Sequence, residues 1–330
     1  MNRIICLLIV LGSAMTGNAQ NDAARHFHVG VNVKGGKMKE QVKLVGGSWI
    51  YPNAVNIQAS RATVVNDNSY GIDLQLGYFF GPKANWGIST GVVYFRTDGV
   101  LTVDSMHMEY QSTDFNGDTY RQVVTSTTPL TEQIQTTNIN IPLLAKYRSK
   151  LSKTIGLSVD AGIVYNVQLK SSYSGGGSFN YEAIYRFVKN GETYVSEYDN
   201  NPVPDPASWL MTEAEYIKDK GDGQQAEYME ELRKQGYNVG LNRESKGSGE
   251  VTHKPGSIGW LVQPSVNFRL SEMLAVNIGP YYMFQKVLNE RTTLRTKVTD
   301  KMDTYNSVLN NAMRRKQHNY GVNLGLSISF

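Results

Sequence analysis

Charged residues that alternate with large apolar residues are the first candidates for chemistry in this sequence. They share one face of each stretch with Gly, Ser and Asn, while the other face is apolar. If the apolar faces contact lipid, the charges point into a closed sheet, where a buried charge must be paired. We therefore predict a structural luminal ion-pair network centred on Asp160, and keep a gated ion or proton path as the alternative. The predicted members are Lys34, Asp73, Lys146, Asp160 and Arg269.

The histidines are candidates for acid–base catalysis, since a hydrolase needs a base beside a nucleophile. None lies in a local pattern with a serine and an acid, although such partners need not be close in sequence. The only cysteine, Cys6, lies in a predicted leader, so no thiolate site is expected. The sequence predicts no enzyme, no cofactor and no metal site. The histidines are His26, His28, His107, His253 and His318.

Residues 314–316, Arg-Arg-Lys, are a compact basic cluster. A stripe of apolar residues predicts a helix over 300–316, and basic residues at a helix C-terminus need no ligand. Near an outer leaflet the same cluster could pair with lipopolysaccharide phosphates. We prefer the first interpretation for this cluster, and expect outer-membrane lipid and lipopolysaccharide as the surroundings. A net charge of +4 gives no argument for a nucleic-acid partner.

Period-2 alternation predicts the strands that position these residues. Residues 319–330 alternate large apolar side chains with Asn, Gly and Ser and end on Phe330. This pattern is typical of a membrane strand between lipid and a polar lumen, and a terminal Phe is the signal that barrel assembly machinery reads. The sequence predicts an all-β fold, an eight-stranded antiparallel up-and-down transmembrane β-barrel. The predicted strands cover 27–34, 70–80, 86–94, 137–147, 155–169, 258–270, 273–288 and 319–330.

The connections between these strands alternate long and short, which is typical of outer-membrane barrels with short periplasmic turns. An even strand number puts both termini in the periplasm. An open edge is not tolerated in lipid, so the sheet must close, and eight strands leave no wide pore. A soluble barrel of the lipocalin type, with apolar side chains inside, is the alternative.

The outer connections are predicted to carry structure of their own. Asn116-Gly117 and Asn190-Gly191 predict hairpin turns, the first of type I′. The largest insertion, residues 171–257, is predicted to contain one broken or two short helices over 212–235 and a mobile stretch over 242–256. Residues 1–19 are predicted to be a signal peptide, and residues 20–330 the barrel. No apolar stretch is long enough for a transmembrane helix.

One strand resembles a known family. Residues 140–147, Asn-Ile-Pro-Leu-Leu-Ala-Lys-Tyr, are similar to the Ile-Pro-Leu-Leu-x-Lys-Tyr strand of the PorT-like outer-membrane β-barrels of Bacteroidota. The Gly-rich strands 71–78, 86–94 and 321–330 are similar to that family's repeated pattern. The resemblance implies a fold and supplies no catalytic residues. The long insertion at 171–257 departs from it.

We therefore expect an outer-membrane protein whose outer loops, chiefly 171–257, bind another protein or an envelope component. The resemblance implies an alternative, because PorT-like proteins include accessory parts of the type IX secretion apparatus. A secretion subunit would also use its periplasmic turns and lipid face. A narrow channel is a third hypothesis, and would require the luminal network to open.

Overall fold

The computed structural model describes residues 25–44, 56–59, 62–190, 193–196, 208–211, 224–288, 297–299 and 304–330. The predicted signal peptide lies outside these residues. Within them, no helix has the length and hydropathy needed to cross a membrane. The elements are β1 (Phe27–Leu44), β2 (Asn56–Ala59), β3 (Ala62–Phe80), β4 (Trp86–Val103), β5 (Met106–Thr113), β6 (Thr119–Ser126), β7 (Leu130–Lys150), β8 (Ile155–Asn190), β9 (Thr193–Ser196), β10 (Ser208–Met211), α1 (Gln224–Lys234), β11 (Leu241–His253), β12 (Ile258–Arg269), β13 (Leu274–Leu288), a 3-10 turn (Val308–Asn311) and β14 (Ala312–Ser329).

Eight long strands are joined in a closed cycle of antiparallel pairs, and we call them the ring strands. β1 pairs with β3, β3 with β4, β4 with β7 and β7 with β8. β8 pairs with β12, β12 with β13 and β13 with β14, which returns to β1. The predicted all-β antiparallel architecture is confirmed. The predicted count of eight is too low for the sheet, which has fourteen strands among the described residues, because six more form in the connections.

The two faces of the ring strands have opposite chemistry. Side chains alternate between the faces because a strand repeats every two residues. The outward side chains are large and apolar, yet Val33 is 58%, Leu76 60% and Trp86 63% exposed. The inward side chains are polar and buried, as Asn32 and Gln263 illustrate. A water-soluble barrel would bury the apolar side chains instead.

The two ends of the ring differ in their connections. Residues 81–85, 151–154 and 270–273 form short turns at one end. The first described residues and Phe330 lie there, because the Phe27 amide donates to the Phe330 carbonyl at 2.9 Å and Arg25 pairs with Glu272 at 2.8 Å. We call this the turn end and the opposite end, which carries the long connections, the outer end.

Toward the outer end the ring strands extend into a second region with an apolar interior, which we call the outer extension. β7 and β8 remain paired as far as Thr131 and Gly176. β8 then pairs with β6, β10 and β11. The interior combines side chains of the strands with side chains of the β13–β14 connection. Its members include Val64, Leu101, Met108, Ile134, Phe179, Tyr181, Val298, Tyr305 and Leu309.

Two predictions for the connections are wrong. No α-helix forms in the described part of 300–316, where a 3-10 turn ends at Asn311 and β14 begins at Ala312. Strand pairing with both β1 and β13 outweighs the weak helical stripe there. Residues 242–253, most of the stretch predicted to be mobile, belong to β11, which pairs with β8 along its whole length. Residues 171–257 are therefore partly an extension of the sheet.

The helix and hairpin predictions are partly confirmed. Of the predicted helical region 212–235, residues 224–234 form α1, and 212–223 lie outside the described residues. β8 and β9 form the second hairpin through the pair Asn190 and Thr193. The first hairpin joins β5 to β6 through a longer loop than a type I′ turn. There the Asp114 carboxylate accepts the amides of Asn116 at 2.9 Å and Asp118 at 3.0 Å, and Gly117 has φ 90°.

Candidate functional site

The interior of the ring contains two buried ion pairs from four strands. The Lys34 ammonium lies 3.1 Å from Asp73, and the Lys146 ammonium lies 2.5 Å from Asp160. All four side chains are buried. The second pair is directly opposite across β7 and β8, whose register follows from the short turn between them. The structure therefore brings together four of the five residues predicted for the luminal network.

Two glutamines join these pairs into a closed cycle, which we call the charge ring. Gln75 donates to Asp73 at 2.7 Å, and its carbonyl accepts from Lys146 at 2.9 Å. Gln263 donates to Asp160 at 2.9 Å, and its carbonyl accepts from Lys34 at 2.7 Å. The six side chains come from β1, β3, β7, β8 and β12 and carry no net charge. The charge ring thus fastens five strands together across the interior.

Arg269 does not belong to the charge ring, so this part of the prediction is wrong. It lies on the inward-facing side of β12, as its alternation indicated, but it is the last residue of the strand and is exposed. Water solvates its guanidinium there, so no buried partner is required.

We expect Arg269→Gln to change stability by no more than about 0.5 kcal/mol, as is usual for exposed positions. Equilibrium urea unfolding of the refolded protein in detergent measures this change. A loss of several kcal/mol would instead place Arg269 among the residues that hold the interior together.

A layer of amide side chains follows the charge ring toward the outer end. The Asn138 amide donates to Gln285 at 2.6 Å, and the Gln285 amide donates to Asn140 at 2.5 Å. Asn166 donates to Asn138 at 2.6 Å. Amides can donate and accept at once, so these side chains bind one another without any charge, and only the Asn140 amide nitrogen and the Asn166 amide oxygen of this layer are buried without a partner. The interior at this level is filled by side chains that bind each other.

A third polar cluster centres on Arg315, which is buried. Its guanidinium pairs with the Glu40 carboxylate and contacts Ser171 at 2.9 Å and His253 at 2.6 Å. The sequence analysis missed this cluster, because a helix was predicted at Arg315 and a mobile segment at His253. The alternation of β1, continued past Lys34 to Glu40, was the signal that could have found Glu40.

The β13–β14 connection covers the interior at the outer end, and we call residues 297–299 and 304–311 the outer cap. Glu132 of β7 holds it. Its carboxylate accepts the Tyr305 hydroxyl at 2.8 Å, the Ser307 hydroxyl at 2.5 Å and the Val308 amide at 2.8 Å. Desolvation by burial outweighs these hydrogen bonds and raises the pKa of Glu132. Burial and the neighbouring Glu132 raise the pKa of Tyr305, which therefore stays a neutral donor.

Little room is left beside the charge ring, where the cavity leaves about 20 Å³ for the centre of a water-sized molecule. That volume holds about one water. Two of the histidines have local polar partners: His26 lies 2.7 Å from the Phe79 carbonyl, and His107 lies 2.7 Å from Glu109 on the outer hairpin. Among the described residues, no group of three His, Cys, Asp or Glu side chains is placed to bind a metal.

Two solved outer-membrane proteins show a weak likeness to this chain. OprG from Pseudomonas aeruginosa is 9% identical, with a TM-score of 0.29, covering 95% of this chain and 99% of that chain. The outer membrane protease OmpT from Escherichia coli is 12% identical, with a TM-score of 0.32, covering 96% of this chain and 100% of that chain. No curated protein matches the sequence significantly. Residues 18–239, more than half of the chain, match the family described as "Outer membrane protein beta-barrel domain", and the protein belongs to this family.

Proposed function

We propose that the protein is an eight-stranded transmembrane β-barrel of the outer membrane, and that its outer extension binds another protein or an envelope component. The closed cycle of ring strands supports the barrel, because lipid tolerates no unpaired sheet edge. The exposed apolar outer face and the buried polar interior support its insertion in a membrane. On this proposal the turn end, with both termini, faces the periplasm.

The proposed role is binding, without transport or catalysis. A solute crossing the barrel would have to break the charge ring, the amide layer and the outer cap in turn. Each of these breaks leaves buried polar groups without partners, which costs free energy. We therefore propose neither a channel nor an enzyme activity for this chain. In this proposal the polar interior stabilises the barrel.

The observation that carries the binding role is a platform at the outer end, formed where the tip of the β5–β6 hairpin, the outer part of β8 and α1 contact one another. The hydroxyls of Tyr185 on β8 and Tyr228 on α1 both donate to Asp114 at the tip of the β5–β6 hairpin. A separate apolar cluster packs between α1 and the strands β6 and β8, and includes Tyr120, Met229 and Leu232. A preorganised surface loses less conformational entropy on binding, so such a platform suits recognition.

An accessory subunit of a type IX secretion or envelope assembly machine is the second candidate. The similarity of residues 140–147 to the PorT-like strand supports it. Lys146 in that strand has a structural role here, in the charge ring, so the motif supports the fold more directly than the assembly. A subunit of this kind would contact its partner through residues 81–85, 151–154 and 270–273 as well.

A deletion at the outer end tests the binding role. Residues 182–240 are replaced by Asn-Gly, which leaves a two-residue turn between Tyr181 and Leu241, a directly opposed pair of β8 and β11. We expect proteins that co-purify with the intact chain in mild detergent to be lost. The shift in gel mobility on heating, which reports a folded barrel, should remain.

The control changes the turn end instead, with the exposed residues Leu151 and Lys153 replaced by Ser. This variant is expected to keep its partners. Partners that survive the deletion and are lost from the turn variant would contradict the binding platform and favour the secretion subunit.

A further inference from the structure

Three neighbouring strands carry a row of cations on their outward face, above the apolar band. The row lies on β1, β13 and β14, which are adjacent in the ring. Of the basic cluster at 314–316, only Arg314 and Lys316 belong to it, because Arg315 points inward. We call the row the basic face, and its members are Lys37, Lys39, Lys43, Lys286, Arg314 and Lys316.

Several of these cations are placed directly opposite one another. Lys286 is the register partner of Lys316 across β13 and β14, and Lys43 is the partner of Arg314 across β1 and β14. Side chains at such positions have Cβ atoms about 4.5–5.5 Å apart, and like charges there are destabilising. In the described part of the chain, none of the six has an ion-pair partner. An anion between the strands would remove this repulsion.

The basic face begins level with an aromatic cluster, where Lys37 lies opposite Tyr320 and Lys39 opposite His318, and it extends beyond the cluster toward the outer end. Trp260 and Tyr282 have ring centroids 4.9 Å apart, and Phe284 lies 4.9 Å from His318. In membrane barrels, aromatic residues at this boundary mark the level of the lipid headgroups. On β14, Lys316 is four residues beyond Tyr320 toward the outer end, about 13 Å along a strand. The cations therefore lie where headgroup phosphates are expected.

Basic residues on the outward face of other strands are paired. Arg96 on β4 lies 4.0 Å from Asp98, and Lys170 on β8 lies 2.8 Å from Glu250. Lys246 on β11 lies 2.8 Å from Glu244. These paired cations on β4, β8 and β11 contrast with the six cations of the basic face, which have no ion-pair partner among the described residues.

We propose that the basic face binds the phosphate groups of a phosphorylated glycolipid in the outer leaflet, with one phosphate between Lys286 and Lys316. The proposal rests on the proposed membrane orientation, which places the outer end in that leaflet. Ammonium and guanidinium groups are the usual partners of phosphate, and a low-dielectric boundary strengthens the interaction. An anionic phospholipid carries the same phosphate chemistry, so the test separates the two sources.

The test compares the intact protein with the triple variant Lys286→Gln, Arg314→Gln, Lys316→Gln. A matched triple variant, Arg96→Gln, Lys170→Gln, Lys246→Gln, removes the same charge from the other side of the outer surface. Each protein in zwitterionic detergent is titrated with lipid A, with dephosphorylated lipid A and with phosphatidylglycerol. Bound lipid is counted by native mass spectrometry, and heat-modifiable gel mobility is recorded for every variant.

We expect the basic-face variant to bind lipid A at least tenfold more weakly, since each cation near such a surface contributes about fivefold. The affinity of the matched variant for lipid A should stay within twofold of that of the intact protein. The intact protein should bind dephosphorylated lipid A as weakly as the basic-face variant binds lipid A. Preferential binding of phosphatidylglycerol would support phosphate recognition and overturn the glycolipid as its source. Equal binding by both triple variants would overturn the basic face as a site, while an intact protein without heat-modifiable mobility would overturn the proposed barrel itself.

Discussion

Replacing Lys146 with Met is expected to destabilise the protein by about 3–5 kcal/mol. The change leaves the Asp160 carboxylate buried without its cation, and an uncompensated buried charge has a cost of this size. It also removes the donor that the Gln75 carbonyl accepts. Equilibrium urea unfolding of the protein refolded in detergent, followed by tryptophan fluorescence, gives the free energy of unfolding.

The double variant Lys146→Met, Asp160→Leu separates two contributions to the loss of stability: the cost of an unpaired buried charge and the cost of altered packing. It removes both charges, so we expect it to recover most of the stability that either single variant loses. Arg269→Gln serves as the control for loss of an inward-side charge at an exposed position. A Lys146→Met variant within 1 kcal/mol of the parent would show that the charge ring does not hold the interior together.

Replacing Glu132 with Ala is expected to release the outer cap. Three donors then lose their acceptor, namely the Tyr305 and Ser307 hydroxyls and the Val308 amide. Each buried donor without a partner costs about 1–3 kcal/mol, so the cap should lose at least about 3 kcal/mol of local stability. Hydrogen exchange of residues 304–311 measures this loss directly.

Glu132→Gln is the matched variant, because its amide keeps one acceptor oxygen and nearly the same volume. We expect it to retain much more protection of the cap than Glu132→Ala. Equal exchange in both variants would mean that the carboxylate does not anchor the cap, and that the apolar contacts of Val298 and Leu309 hold it alone.

The same site predicts a pH dependence with a defined sign. The pKa of Glu132 is raised in the folded state, so between its ordinary value and the raised value the folded state binds more protons than the open state. The stability of the cap is therefore expected to fall as pH rises, from near the ordinary carboxyl pKa up to the raised one. The Glu132→Gln variant should show no such change in its protection factors, which are corrected for the intrinsic effect of pH on exchange, and an opposite slope in the parent would contradict the raised pKa.

The sequence by itself determined which side chains share a face. The alternation is local, because successive residues of a strand point to opposite sides whatever the strand pairs with. It placed Lys34, Asp73, Lys146 and Asp160 on the inward faces. The structure adds that residues 151–154 form a short turn between β7 and β8, and the register of these strands places Lys146 opposite Asp160.

Only the tertiary structure decided which inward side chains meet. Lys34 and Gln263 are 229 residues apart, and their contact depends on closure of the ring and on the register of several strands. The tertiary structure also decides how deeply a residue is buried in the interior. Arg269 lies on the inward side of β12 but is exposed, because it is the last residue of that strand. At residues 312–318 a weak helical stripe and a strand pattern compete. Pairing with β1 and β13 decides for the strand, because it satisfies the backbone groups of that segment on both edges and turns Arg315 inward toward Glu40.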